Sequence, residues 1–281
     1  MRRLALFCLP VLLTAVPALA EHHAMTSASA VPRTDPALVA AIADPRRNED
    51  RTRDMFRKPA ETLSFFQVGP AMKVGEYAPG GGWYSRLLGL YLGPKGQLVG
   101  LFFDPKSGAF SEKSQQGIRD GAARYPAEVS NWSGQPANRF AAMTLETIPE
   151  AEKGTFDRII VARTMHNLLR WNNADSEVKA MRSLLKDNGM IGIEQHRAKP
   201  NAPYAYADGS KGYLREADVI KFMEVNGFDF AGKSEANANP KDTADYPKGV
   251  WELPPTLGTK REELKAVGES DRMTLLFRKR A

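Results

Sequence analysis

The chain has 281 residues, a formal net charge of +6 and one cysteine, Cys8. A single cysteine excludes an internal disulfide and a cysteine-based metal site. The basic excess is small and spread along the chain, so the charge balance gives no support for nucleic-acid binding.

The first 20 residues have the three-part layout of a cleavable signal peptide. Two arginines precede an apolar stretch at residues 4–16, and small residues follow up to Ala20. This stretch is shorter than the roughly 20 residues that span a bilayer. We therefore expect cleavage after Ala20 and a periplasmic or secreted protein without a stable membrane anchor. The alternative is a retained N-terminal anchor.

The segment before the first predicted strand divides into a flexible leader, residues 21–34, and a helical arm, residues 35–70. Asp35 followed by Pro36 is a typical helix start. Residues 46–57 carry charges of both signs at high density. We interpret this run as a solvated helix face. Its arginines could instead reach an anionic substrate or a cofactor carboxylate if the arm folded over a site: Arg46, Arg47, Arg51 and Arg57.

From residue 73 onward, short apolar runs alternate with amphipathic runs. Seven runs predict strands, at residues 73–77, 97–103, 140–145, 157–162, 190–195, 228–234 and 273–278. Four runs predict helices, at residues 83–92, 111–123, 175–185 and 215–226, the third with Gly189 as its stop signal. The alternation predicts one α/β domain over residues 35–281, with a mostly parallel sheet covered on both faces. Residues 237–271 form a loop of the length that is often functional.

Three consecutive glycines, Gly80, Gly81 and Gly82, follow the first predicted strand, and Glu76 stands near the end of that strand. Glycines let a ligand approach the backbone at a strand-to-helix crevice. A dinucleotide fingerprint would require glycine where Ser85 stands. A carboxylate at Glu76 would repel a pyrophosphate but suit a ligand with an ammonium and a sulfonium group. The loop therefore favours such a cation, and a nicotinamide-dependent oxidoreductase is a disfavoured alternative.

Two later strand ends could hold a nucleoside. Asp104 lies 22 residues after Gly82, close to the spacing of about 20 residues at which an acid binds the ribose. Its alternative role is to cap the turn at Pro105. Thr144 and Leu145 end the third predicted strand, where a polar side chain and a backbone N–H could hold an adenine edge.

Together these segments resemble the class I S-adenosylmethionine-dependent methyltransferases, across nearly all of the chain that would remain after cleavage. A closer likeness is to a poorly characterised group of bacterial predicted methyltransferases. Its marks here are the arginine-rich arm, the Pro-Gly-Gly-Gly-Trp-Tyr run at residues 79–84, His166, the Gln-His-Arg-Ala run at residues 195–198, and the closing segment at residues 271–279. Ala78 replaces the first glycine of the family loop, and Gln195 replaces the group's aspartate.

The resemblance implies a fold, a cofactor and a set of residues that bind it. The fold would be a doubly wound, Rossmann-like sheet of seven strands, the last antiparallel, preceded by the helical arm. The cofactor would be S-adenosylmethionine. The binding residues would be Glu76, Ala78, Gly80, Gly81, Gly82, Tyr84, Asp104, Thr144 and Leu145.

Candidate catalytic residues follow the fourth and fifth predicted strands. His166 is our first choice for the base or for orienting the methyl acceptor, with Asn167 as a polar partner. His196 ends the next strand, so both histidines could line one crevice. The alternatives are that His166 caps the strand end or stacks near an adenine, or that the pair binds a metal with Glu194 or Asp208. We expect no metal, because no helical metal-binding spacing is present.

We therefore predict a methyltransferase that acts on a small molecule, whose site is shaped in part by the long loop. The alternative is a non-catalytic exported binding protein that keeps the nucleoside pocket. Export would separate the enzyme from a cytoplasmic donor supply, and Gln195 removes a possible base. Both points favour this alternative.

Overall fold

The structure, a computed structural model, describes residues 35–281. The predicted signal peptide and flexible leader lie outside these residues. Seven strands are present: β1 (Lys73–Tyr77), β2 (Gln97–Phe102), β3 (Phe140–Thr144), β4 (Phe156–Ala162), β5 (Leu185–His196), β6 (Phe228–Ser234) and β7 (Arg272–Lys279). They form one sheet in the order β3-β2-β1-β4-β5-β7-β6. Strand β7 is antiparallel to both β5 and β6. The predicted fold, a seven-stranded α/β sheet with its last strand antiparallel, is confirmed.

The helices surround this sheet. In chain order they are α1 (Pro36–Ala43), α2 (Asn48–Arg51), α3 (Asp54–Arg57), α4 (Pro59–Phe65), α5 (Trp83–Tyr91), α6 (Glu112–Ser133), α7 (Met165–Arg170), α8 (Ala174–Leu184), α9 (Tyr204–Ala207) and α10 (Glu216–Val225). Short 3₁₀ turns occur at Pro45–Arg47, Ala137–Arg139, Glu150–Glu152, Gly249–Glu252 and Glu262–Ala266. Among the described residues, none of the helices has the length and apolar character needed to cross a membrane.

Two apolar cores lie on the two faces of the sheet. Helices α1, α4, α5 and α6 cover one face, with buried side chains such as Leu38, Leu63, Leu87 and Val129. Helices α7, α8 and α10 cover the other face, with buried side chains such as Leu168, Val178 and Met223. Because both faces are covered, β2 and the second half of β4 carry mainly apolar side chains, as strands of parallel sheets do.

Strand order reverses between β1 and β4, and this reversal fixes the place of the site. The chain runs outward from β1 through β2 to β3, and then returns so that β4 pairs with the other edge of β1. Ligands of open α/β sheets bind at the carboxyl ends of the strands that flank such a switch point. Here those ends are Tyr77 and Ala162.

Helix α6 is longer than the sequence predicts. It spans 22 residues and continues through Pro126, so the predicted end at residue 123 is wrong. A proline inside a helix costs about 3 kcal/mol. Packing of the second half of the helix offsets this cost. Tyr125, Val129 and Ser133 lie four residues apart and are all buried on the side that contacts α5, β2 and β3.

The boundary between α8 and β5 is also different from the prediction. The helix ends at Leu184, and the strand begins immediately at Leu185, which pairs with Phe156 of β4. Residues 186–189 form a bulge, because Leu185 pairs with Phe156 and the next paired residue, Met190, pairs with Arg158. The helix thus ends one residue before its predicted end, and Gly189 lies in the bulge near the start of β5 rather than directly after the helix.

Candidate functional site

A cavity of about 430 Å³ lies at the switch point between β1 and β4. Its volume is within the range of pockets that bind small molecules. The arm, the glycine loop, the segment after β4, the end of β5 and the long loop all contribute to its wall. The residues used below are Asp50, Arg53, Arg57, Glu76, Gly80, Gly81, Tyr84, Arg163, His166, Asn167, His196, Trp251 and Glu269.

The glycine loop forms the floor of this cavity. Ala78 has φ 49°, in the left-handed region that glycine adopts with least strain. Gly81 has open space where a Cβ would stand, with no atom within 4 Å. A ligand could therefore approach the backbone at Gly81 directly. A second cavity, of about 390 Å³, lies on the other side of the loop against α6.

Glu76 faces the glycine-loop side of the cavity from the end of β1. It points to the same sheet face as Val74, because side chains alternate along a strand. Its Oε2 accepts hydrogen bonds from Ser85 Oγ at 2.5 Å and from the Tyr125 hydroxyl at 3.0 Å. Burial raises the pKa of Glu76 to about 7 from an ordinary 4.5, in spite of both hydrogen bonds. Neither of these hydroxyls engages Oε1, which is the oxygen suited to meet a cationic ligand.

Tyr84 connects the loop to a buried ionic cluster. Its hydroxyl donates to Glu194 Oε2 at 2.8 Å. Glu194 is fully buried, and its Oε1 also forms ion pairs with Arg272 Nη1 at 2.7 Å and with Arg163 Nη1 at 3.3 Å. Burial alone would raise the pKa of Glu194, but Arg272, Arg163 and Arg57 lower it to about 2. Glu194 is thus an ionised carboxylate that is paired with arginines, and its hydrogen bond with the Tyr84 hydroxyl fixes the position of Tyr84.

The arm folds over the cavity. Arg47 and Arg57 are buried, so the prediction of a solvated face is wrong for these two arginines, whereas Arg46 and Arg51 are exposed as that prediction has it. Arg47 pairs with Asp54 at 2.8 Å. Arg57 lies 3.4 Å from Glu269 of the long loop, and its guanidinium stacks 4.8 Å from the Trp83 ring centroid.

His166 lies at the start of α7, beside Gln195 of β5. Gln195 Nε2 donates to the Gly212 carbonyl at 2.8 Å, which directs Oε1 to the His166 backbone N–H at 3.4 Å and to Nδ1 at 3.3 Å. Nδ1 of His166 therefore carries the hydrogen, and Nε2 keeps its lone pair. Burial lowers the pKa of His166 to about 4, so the imidazole is neutral at physiological pH.

His196 lies close to His166 in the same wall. The two ring centroids are 5.6 Å apart, and His196 Nδ1 lies 2.6 Å from Ser270 Oγ. Burial, followed by the neighbouring His166 and Arg272, lowers the pKa of His196 well below 6.5. The structure thus brings together the three predicted catalytic residues, His166, Asn167 and His196, as cavity-lining groups.

Asp104, Thr144 and Leu145 are not among the residues that line this cavity. Asp104 Oδ1 accepts from the Lys106 backbone N–H at 2.7 Å, which is the turn-capping alternative. The Leu145 N–H already donates to the Phe102 carbonyl at 2.9 Å. Aromatic rings of Tyr77, Phe103, Phe110 and Trp171 pack edge to face or tilted over this end of β1 and β2. Nucleoside binding by Asp104, Thr144 and Leu145 stays a prediction.

Sequence reasoning did not single out Arg163 or Glu269. Arg163 adopts φ 55° directly after β4, and such strain in a non-glycine residue is frequent at functional sites. Its position at a strand end beside His166 is the signal that could have found it. The long loop supplies Val250, Trp251, Pro254, Pro255, Thr256, Glu269 and Ser270 to the wall. Within residues 35–281, no group of three or more His, Cys, Asp or Glu side chains is arranged to hold a metal ion.

The fold is that of the class I methyltransferases. A S-adenosylmethionine-dependent methyltransferase from Aquifex aeolicus has 16% identity and a TM-score of 0.52, over 87% of this chain and 98% of that one. The 4+2 cyclase SpnF has 14% identity and a TM-score of 0.50, over 83% of this chain and 81% of its own. No protein-family model and no curated protein matches the chain. These similarities show the fold, and since a cyclase shares it, the chemistry must be argued from the site.

Proposed function

We propose that the protein is a methyltransferase that uses S-adenosylmethionine to methylate a small molecule. The observation that carries this proposal is the cavity itself, in which the glycine loop and Glu76 line the same space as the neutral histidine pair at the β1–β4 switch point. Similarity in fold to a solved S-adenosylmethionine-dependent methyltransferase supports it.

The residues around the glycine loop fit the amino-acid part of this cofactor. The free space at Gly81 admits a ligand to the backbone, and Glu76 Oε1 is placed to accept a hydrogen bond from an ammonium group. S-adenosylmethionine, when bound, supplies a methyl group activated by the sulfonium. Orientation of an acceptor towards such a group can supply much of the rate of methyl transfer.

The histidine pair supplies the groups that would orient and deprotonate the acceptor. His166 presents the Nε2 lone pair, since its Nδ1 faces Gln195. Its low pKa makes it a weak base that is always unprotonated at neutral pH. It therefore suits the removal of a proton whose acidity rises as the new bond forms, while Asn167 and His196 position the acceptor.

Calorimetric titration tests the proposal. We expect residues 21–281 to bind S-adenosylmethionine and S-adenosylhomocysteine but not NAD, and to methylate a member of a small-molecule acceptor panel. Absence of binding to the first two ligands would remove the proposal. Binding without turnover on any acceptor would favour the non-catalytic binding protein instead. A His166→Asn variant that binds both cofactor forms normally but loses turnover would support the role of His166.

We also propose that the protein is exported, on the basis of its first 20 residues. Mass spectrometry of the protein from its native host, or expressed with its full sequence in a bacterium, tests this. An N-terminus at Glu21 in the periplasmic or secreted fraction is the expected result. Recovery of the uncleaved chain in the cytoplasm would contradict it.

A further inference from the structure

The ionic cluster that borders the cavity contains more positive than negative charge. Arg53, Arg57 and Arg272 share Glu269, and Arg272 and Arg163 share Glu194. Four guanidinium groups therefore share two carboxylates. The nearby pair of Arg86 and Asp50 is balanced, and Glu76, which also lines the cavity, becomes negative only when it ionises. Even with Glu76 ionised, these five arginines outnumber the four carboxylates.

Arg57 is the group with the least complete set of partners. Its side chain is only 3% exposed, and its Nη1 is buried without a hydrogen-bond partner among residues 35–281. The one hydrogen bond that its side chain makes within residues 35–281 is a long contact of 3.4 Å from Nε to Glu269. Burial, followed by repulsion from Arg163, lowers the pKa of Arg57 to about 9. A buried cation in this condition is stabilised by any anion that reaches it.

Arg163 lies at the other end of the same ionic chain. Its Nη1 contacts the two Glu194 oxygens at 3.3 and 3.4 Å, which are long distances for an ion pair. Its side chain is 23% exposed and lines the cavity. Arg57 and Arg163 belong to two different elements, and both line the cavity with incomplete sets of partners.

We propose that Arg57, Arg53 and Arg163 form a binding site for a ligand carboxylate. The planar donors of arginine match the two oxygens of this group. Four guanidinium groups share two carboxylates in this cluster, and a ligand carboxylate would reduce that local excess of positive charge. The carboxylate belongs either to the amino-acid part of the cofactor or to the methyl acceptor. Assignment of the site to one of these sources rests on the proposed function.

Benzoate and its neutral analogue benzamide are the probes for this site. Their dissociation constants are measured by calorimetry at matched ionic strength on the wild-type protein and on Arg57→Gln, Arg163→Gln and Arg51→Gln. Arg51 is the matched control, because it is exposed on the same arm and its side chain donates a long hydrogen bond of 3.4 Å to Asn48. We expect benzoate to bind better than benzamide, and to bind about 10- to 100-fold more weakly to the first two variants. Circular dichroism verifies their folding, and Arg163→Gln suffices if Arg57→Gln does not fold.

A second arm identifies the source of the carboxylate. Benzoate is titrated into protein saturated with S-adenosylhomocysteine, and separately with 5′-methylthioadenosine, which lacks the amino-acid part. Blocking by the first compound alone assigns the site to the cofactor carboxylate. Undiminished benzoate binding in both complexes assigns it to the acceptor.

The outcomes separate this inference from the proposed function. Equal binding of benzoate and benzamide to the wild-type protein, or unchanged benzoate binding to the folded arginine variants, would overturn the carboxylate site even if S-adenosylhomocysteine binds. Arginine-dependent benzoate binding without any binding of S-adenosylhomocysteine would keep the site and remove the proposed function.

Discussion

Replacement of Glu76 by glutamine should stabilise the protein and weaken binding of the cofactor. Glu76 has a pKa of about 7 in the folded protein, against an ordinary 4.5. A raised acid pKa means that the fold favours the neutral form, so the stability supplied by Glu76 is complete below pH 4.5 and is lost as the pH rises through 7. A shift of about 2.5 pKa units corresponds to about 3 kcal/mol.

Glutamine keeps an acceptor for Ser85 and Tyr125 but cannot ionise. We therefore expect Glu76→Gln to be about 3 kcal/mol more stable than the wild-type protein at pH 8, and about equal to it at pH 4. For a domain of this size, the gain corresponds to an increase of roughly 6 to 12 °C in the unfolding temperature. Thermal and urea unfolding at several pH values measure it. A gain of the same size at pH 4, or no gain at pH 8, would refute the reasoning.

Cofactor binding should change in the opposite direction. If ionised Glu76 meets the cofactor ammonium, wild-type affinity for S-adenosylmethionine should rise about tenfold between pH 6 and pH 8, because ionisation follows a pKa of about 7. The Glu76→Gln variant should lack this rise. Glu177→Gln is a comparison for the stability effect alone: Glu177 is buried, its pKa is also raised to about 7 by burial, and its Oε1 accepts from the Asp104 backbone N–H. It should reproduce the gain in stability at pH 8.

Three substitutions test other parts of the site. Gly81→Ala should change the free energy of unfolding by no more than about 0.5 kcal/mol, since the added Cβ meets no atom within 4 Å. It should nevertheless weaken the binding of S-adenosylmethionine at least tenfold. Unchanged affinity in calorimetry would mean that no ligand approaches the backbone there. Ala78→Gly should add about 1 kcal/mol in urea unfolding by relieving a left-handed φ, and a loss would contradict this strain. Gln195→Glu should destabilise the protein by about 1 to 3 kcal/mol, because a carboxylate replaces the amide that donates to the Gly212 carbonyl. The same variant should raise the pKa of His166 above 4. An NMR titration in which the pKa of His166 is unchanged would refute the interaction between these two residues.

The sequence was sufficient to predict the sheet and the meeting of the glycine loop with the histidines. Alternating apolar and amphipathic runs predict a mostly parallel sheet, the family resemblance implies the antiparallel last strand, and the carboxyl ends of neighbouring parallel strands converge. Gly80 follows β1, while His166 and His196 follow or end β4 and β5. Their proximity therefore required only the order of the strands.

The burial of Arg57 could not be predicted in the same way. Its partner Glu269 is 212 residues away in sequence, and local charge density gives no indication of such a contact. The surroundings of Asp104, which we predict to bind the nucleoside, could not be predicted for a related reason. Asp104 has the expected spacing, but the packing of Phe103, Phe110 and Trp171 beside it depends on three segments whose meeting is set by tertiary structure.

The cavity is lined by acidic and basic groups together, and this combination constrains the ligand more than either kind of group does alone. Glu76 favours a cation, whereas Arg57 and Arg163 favour an anion. A ligand of only one charge would satisfy one kind of group and leave the other uncompensated. The cavity is therefore suited to a zwitterion, or to a cationic cofactor beside an anionic acceptor, and in both cases the ionisation of Glu76 and the occupation of the arginines should reinforce each other.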